Sequence, residues 1–235
     1  MDEIIVVDDG STDDTLEILK AYGKKIKIFS QPNSGVSVSR NLGIKKAKYD
    51  WVAFLDSDDE WIDTKLEKQA QFHSLNKESK FSYTAELWVR DEKRVNQPKK
   101  FEQFSGDIFD KILTHTTIGA STVIMHRDIF EYVGLFDEEL EVCEDYDLWL
   151  RVAKKYTISL LEEKLTIKYG GHSDQLSTKY WGMDRFRIRA LDKHKESTEA
   201  KKVLIQKCEQ LKAGAIKHEN VELQKECEWY LKQNS

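Results

Sequence analysis

The stretch Glu3-Ile-Ile-Val-Val-Asp-Asp-Gly-Ser-Thr-Asp-Asp-Thr15 decides the fold. Its short apolar run ends on two carboxylates and a glycine, the pattern of a buried parallel strand entering a loop. Ser11 is predicted to cap the helix that follows. Asp14 stands at the capping-box position, and the acids suit the positive end of the helix dipole. Leu16, Ile18 and Leu19 supply an apolar face, and Gly23 is the predicted C-cap. The alternation then repeats: a strand over Ile26–Phe29, a helix over Val36–Ala47, a strand over Trp51–Leu55 and a helix over Asp63–Asn76. This predicts an α/β fold with a mostly parallel sheet flanked by helices.

Outward from this unit the pattern is less regular. Strands are predicted at Phe81–Arg90, Ser121–Met125, Ile158–Leu161 and Leu165–Tyr169. Glu144–Lys155 places Tyr146, Leu148, Trp149 and Val152 at amphipathic-helix spacing. From about Lys179 the sequence is helical and rich in Lys and Glu. Two units are therefore expected, a main domain over 1–178 and a C-terminal helical extension over 179–235. Of the 235 residues, 40% are apolar and 11% aromatic, which excludes a disordered chain. The net charge of −5 argues against a dedicated nucleic-acid binder, which needs a positive surplus. No apolar run approaches the ~20 residues that cross a bilayer. Met-Asp-Glu leads at once into a strand, so no signal peptide is expected. Cys143, Cys208 and Cys227 are few, odd in number and far apart, which predicts reduced thiols in a cytoplasmic protein.

Four constellations carry chemistry. Asp8-Asp9 ends a strand, where ligands of open parallel sheets bind; adjacent carboxylates there need donors, a metal or water, although both could simply cap the next helix. Asp56-Ser57-Asp58-Asp59 ends another strand. Its i and i+2 oxygens can converge on a hard cation such as Mg²⁺ or Mn²⁺, or form a solvated turn. Glu144-Asp145 opens an amphipathic helix, either as a partner of the helix dipole or as a general base. His172, in Gly170-Gly171-His172-Ser173, reads as a surface loop histidine or as a metal or phosphate contact. If the strands that end in Asp8-Asp9 and in Asp56–Asp59 are neighbours, both acid clusters line one crevice.

These residues resemble family 2 glycosyltransferases of the GT-A fold. The resemblance rests on Glu3–Thr15, on Asn33-Ser-Gly-Val-Ser-Val-Ser-Arg-Asn-Leu-Gly43 and on Phe54-Leu-Asp-Ser-Asp-Asp-Glu-Trp61. It extends through Gly134-Leu-Phe-Asp-Glu138, Glu144-Asp-Tyr-Asp-Leu-Trp-Leu-Arg151 and the His172 loop, covering roughly 2–178. It implies an inverting transferase that uses a nucleotide-diphospho-sugar, with a UDP-sugar the expected donor and a saccharide or lipid-linked saccharide the acceptor. Such enzymes serve cell-envelope or exopolysaccharide synthesis. By the resemblance, Asp8 and Asp9 contact base and ribose, Arg40 lies near the nucleotide, and Asp56 sits by ribose and metal. Asp58 is then the principal ligand of Mn²⁺ or Mg²⁺, Asp145 the catalytic base with Glu144 its neighbour, and His172 a third metal or diphosphate contact. The family has a further strand and helix before the Asp8-Asp9 strand, which here follows Met1 directly. A GT-A domain lacking that first unit is therefore expected.

Other readings compete. A non-catalytic relative would keep the fold and bind without transfer. A receiver domain also places an acid pair and an aspartate after strands, but Ser57-Asp58-Asp59 is unusual for it and over half the chain is left unexplained. A phosphatase that uses D-x-D wants Thr or Val where Glu60 stands. Arg185, Arg187, Arg189, Lys193 and Lys195 form a basic stretch, either a solvated helix face or a contact with an anionic membrane surface. Apolar residues over 197–233 predict two helices packed on the main domain or on a second copy of the chain.

Overall fold

The computed structural model describes residues 3–171 and 180–234. Strand β1 (Ile5–Asp8) is built from β-branched residues and pairs in parallel with β2 (Lys27–Ser30). Helix α1 (Thr15–Ala21) connects them, and α2 (Val36–Lys46) follows, with Gly43 lying against Val7. The chain continues through β3 (Trp51–Ala53), β4 (Asp59–Trp61), α3 (Lys65–Leu75), β5 (Phe81–Arg90) and β6 (Lys93–Val95). Then come β7 (Ile124–His126), α4 (Asp128–Val133), α5 (Glu144–Ala153) and β8 (Ser159–Gly170). Helices α6 (Asp184–Asp192), α7 (Thr198–Lys217) and α8 (Val221–Gln233) complete it.

This is the expected α/β architecture, with more mixed strand pairing than the alternation predicts. Among the described residues, β1 and β2 form their own parallel sheet. A second sheet has the order β3-β7-β5-β8-β4, with β6 on β5. There β5 and β8 run parallel, while β3, β4, β6 and β7 run against their neighbours. Apolar runs announce strands, but the connections between them set direction and partner. So β1 and β3 are not ladder neighbours among the described residues; α2 links their ends, with Asp9 bonded at its start and Arg40 reaching Asp56.

Local corrections follow the same logic. Helix α1 starts at Thr15, not at a Ser11 cap. The Ser11 N–H donates to Asp8 Oδ1 (3.1 Å) and the Thr15 N–H to Asp13 Oδ1 (3.1 Å). Ile18, expected on a buried face, is 53% exposed. The two strands predicted over 158–169 are one, β8. Strand β4 was not anticipated; it exists because Asp59–Trp61 pairs with Thr166–Lys168 of β8.

The core is organised around α5, whose Tyr146, Leu148, Trp149, Leu150 and Val152 are buried. They share one apolar cluster with Phe81 and Met125 of the sheet and with Phe186, Ile188, Leu191, Leu204 and Cys208 of α6 and α7. The C-terminal helices thus pack into the main core. Their basic residues find acids within the chain: Arg187 meets Asp184 (2.9 Å), Arg189 meets Glu226 (3.6 Å), and Lys193 meets Asp137 (2.5 Å) and Asp147 (2.7 Å). Cys143, Cys208 and Cys227 are free and buried. Burial pushes the Cys143 and Cys208 thiols up to about 12, so they stay protonated and unreactive. No helix among the described residues is long and apolar enough to cross a membrane.

Lys65, at the start of α3, is fully buried. Its ammonium donates to Gln69 Oε1 (2.7 Å) and lies 4.5 Å from the Trp61 ring centre, with no carboxylate beside it among the described residues. Burial pushes its pKa down from 10.5 to about 7. The unfolded chain holds that proton more tightly, so the fold carries the full penalty below pH 7 and sheds it as pH rises towards 10.5. The limit is about 1.4 kcal/mol per pH unit. In urea unfolding, the stability of wild type relative to Lys65→Met should rise steadily between pH 7 and 9. A relative stability flat in pH would show that Lys65 titrates normally.

Candidate active site

The loops after β1 and β2 are locked together. Gly10, at φ +82°, has no room for a side chain, because a Cβ would lie 2.8 Å from the Asn33 nitrogen. Beside it, Asp9 accepts from the Gln31 side-chain amide (2.7 Å) and from the N–H groups of Ser34 (2.9 Å) and Gly35 (2.8 Å). Burial pushes this carboxyl up, but these donors outweigh it and hold it below the usual range. Asp9 therefore fixes the start of α2. Asp8 is buried, with its Oδ1 turned back to the Ser11 N–H.

Helix α2 then delivers two adjacent side chains. Arg40 reaches Asp56 Oδ1 (2.6 Å) with one nitrogen and Glu144 Oε1 (2.5 Å) with the other. Its guanidinium also stacks 5.2 Å from the Phe136 ring centre. Burial alone would ease its proton off, but Asp56, Glu144 and Asp145 outweigh that and raise its pKa. Asn41, 2% exposed, donates to Phe136 O (2.9 Å) and Glu138 Oε1 (2.8 Å) and accepts from the Phe136 N–H (3.0 Å). One turn of α2 thus holds the end of β3, the start of α5 and the 136–138 segment.

Helix α5 begins abruptly. Cys143 takes a left-handed conformation (φ 64°, ψ 20°), so Glu144 and Asp145 enter the first turn directly. Both carboxyls are pushed up, first by burial. Glu144 reaches about 7, aided by its charged neighbour Asp145, while Arg40 opposes both shifts. They titrate as one unit. Behind them, fully buried Asp147 binds Arg151 (2.6 Å) and Lys193 (2.7 Å). Arg151 also donates to Leu135 O (2.8 Å).

At the end of β3, Asp56, Asp58 and Asp59 each offer a carboxylate oxygen, all within 4.8 Å of one another. Three hard oxygens so close suit Mg²⁺ or Mn²⁺. Arg40 already takes one oxygen of Asp56; burial pushes that carboxyl up, and Arg40 more than reverses it. Asp59 is pushed up to about 6, chiefly by burial, with Asp56 and Asp58 adding to it and a hydrogen bond from Ser121 opposing. The buried Ser121 hydroxyl also accepts from the Asp56 N–H (3.1 Å), and its carbonyl accepts from Trp61 Nε1 (2.6 Å). Asp59 and Ser121 had no predicted role. The visible signal was the third acid in Asp-Ser-Asp-Asp, but its support by β4 could not be read. His172 lies outside the described residues.

An α/β sheet with carboxylates gathered at its strand ends is the build of a GT-A glycosyltransferase, and the comparisons agree. The profile of Glycosyl transferase family 2 matches residues 1–134, and the chain belongs to that family. A glycosyltransferase of Rickettsia bellii, itself uncharacterized, is 34% identical over 70% of this chain and 24% of its own length. A Bacillus subtilis protein named for teichuronic acid biosynthesis, TuaG, is 31% identical over 76% of this chain and 71% of its own. Escherichia coli WfaP, named as a UDP-Glc:α-D-GlcNAc-diphosphoundecaprenol β-1,3-glucosyltransferase, is 33% identical over 65% of this chain and 59% of its own. The chain spans about a quarter of the length of the Rickettsia bellii and Rickettsia conorii relatives. Staphylococcus aureus TarS, solved with UDP-GlcNAc, shares the fold at a TM-score of 0.68, with 22% identity over 87% of this chain and 62% of its own.

Removing the bridging cation should be costly. Arg40→Met leaves Glu144 and Asp56 facing each other without it, and should destabilise by about 3 kcal/mol or more in urea unfolding. Arg40→Lys should recover only part, because an ammonium lacks the two-pronged reach. A loss under about 1 kcal/mol would show that Arg40 is no keystone.

Proposed function

We propose that this chain is an inverting glycosyltransferase that moves a sugar from a nucleotide-diphospho-sugar to a hydroxyl acceptor. The observation that carries this reading is the Arg40 bridge, which brings the acid cluster after β3 and the acidic start of α5 to one crevice. The fold and family supply the reaction class, and the sugar nucleotides named for WfaP and TarS favour a UDP-sugar. The saccharide acceptor, the work at the inner face of the membrane and the role in envelope polysaccharide synthesis are part of the same proposal.

Asp145 is the base. An acceptor hydroxyl is a poor nucleophile, and a carboxylate that removes its proton during attack raises the rate. A raised pKa makes Asp145 a stronger base once it is ionised, and its partial exposure leaves it open to an acceptor. Glu144, held by Arg40, shares the charge of the pair. With one base and one displacement, the anomeric centre inverts. Asp58, with Asp56 and Asp59, would hold Mg²⁺ or Mn²⁺, and His172 is proposed as a further contact. When bound, that ion supplies neutralising charge for the departing diphosphate. Asp8 and Asp9 frame the base and ribose side, Asp9 by holding the 33–35 loop.

Calorimetry with UDP, dTDP and GDP, in Mn²⁺ and in chelator, tests the donor. One nucleotide should bind, only with metal, and Asp58→Ala should abolish that dependence. A folded chain that binds none of the three would overturn the donor reading. Asp145→Asn should leave nucleotide binding intact and cut turnover by about 10²–10⁴-fold. Near-normal transfer would remove Asp145 as base. The raised pKa of Asp145 also predicts that transfer falls with acid at a pH above the ordinary carboxylate range. A rate that stays level down to pH 5 would contradict that.

A further inference from the structure

Lys168 has no part in the reaction as described so far. It lies on β8 directly across from Asp59 of β4, in antiparallel register. Side chains so paired share a face, which brings the ammonium to the acid cluster. The same side chain reaches Gly119. A Cβ there would lie 3.8 Å from Lys168 Nζ and 2.3 Å from Glu86 Oε1, so Gly119 leaves the room that both side chains occupy. Glu86 is itself buried and accepts from Trp88 Nε1 (2.7 Å).

Every other charged group around this crevice for which a contact is given is tied. Arg40 binds Asp56 and Glu144, Asp59 is bonded by Ser121, and Asp145 Oδ1 accepts from the Tyr146 N–H (2.6 Å). Lys168 differs. Among the described residues its ammonium makes no hydrogen bond and no ion pair, although it is only partly exposed. Its charge faces the carboxylates of Glu86, Asp59, Asp145 and Asp56. An ammonium carries three donors and no acceptor. Donors left unused in a partly desolvated site cost free energy, and an anion with several acceptor oxygens relieves that cost.

We propose that Lys168 is a phosphate ligand of the donor site, its ammonium hydrogen-bonding an oxygen of the nucleotide diphosphate. The proposal rests on the donor reading above and adds to it a named contact. Asp56, Asp58 and Asp59 suit the cation that a diphosphate brings, and Lys168 rises beside them on the same strand pair. A phosphate oxygen between the two would meet positive charge on both sides.

The test is calorimetry in Mn²⁺ with UDP, uridine and inorganic pyrophosphate on wild type, Lys168→Met and Lys168→Arg. Lys168→Met should weaken UDP and pyrophosphate by roughly tenfold or more and leave uridine unchanged. Lys168→Arg should restore most of the loss. If Lys168→Met binds UDP like wild type, or loses uridine and UDP equally, the proposal is overturned. Wild type that holds pyrophosphate through Lys168 but no nucleotide would overturn only the donor reading. Wild type that holds neither would overturn both.

Discussion

A single buried guanidinium governs the layout of this molecule. Arg40 has to satisfy two carboxylates far apart in the sequence, Asp56 after β3 and Glu144 at the head of α5. Neither acid is well placed alone, since a carboxylate out of water without a partner costs several kcal/mol. The ion pairs fix the distance between the two acidic segments. Asp9 sets where α2 begins, and α2 sets where Arg40 arrives.

Asp145, the proposed base, sits at the end of a second chain of constraints. Helix α5 is nearly all buried, and its polar residues each have a task. Asp147 and Arg151 tie it to the 133–135 segment, Trp149 Nε1 donates to Ile118 O (3.0 Å), and Lys193 reaches in from α6. A helix pinned at so many points cannot turn about its axis. The direction in which Asp145 faces is therefore set by groups behind it, the fixed orientation that its proposed role needs.

Much of this could be read from the sequence where a pattern is local. The strand–loop–helix rhythm, the three acidic runs and α5 follow from apolar spacing and from acids at element ends. Family resemblance supplied the order of the motifs. The pairing of strands was less legible, because β3 finds β7 far along the chain and β4 finds β8, and no periodicity encodes a partner. Ser11 looked like a helix cap, but Asp8 and Asp13 bind the backbone there first. Asp59, Ser121, Asn41 and Lys168 gain meaning only in three dimensions, since their partners lie on other elements.

The shared core of α5, α6 and α7 bears on how such chains can be recombined. The sequence invites a cut near residue 178, where the motifs stop and the Lys/Glu-rich helices start. Physically that cut would strip Phe186, Ile188, Leu191 and Leu204 from the apolar cluster that supports α5, and remove Lys193 from buried Asp147. The motif-bearing part is thus not a portable cassette. In any longer or chimeric architecture it must travel with these helices, because they complete the core under α5 even though they carry no motif.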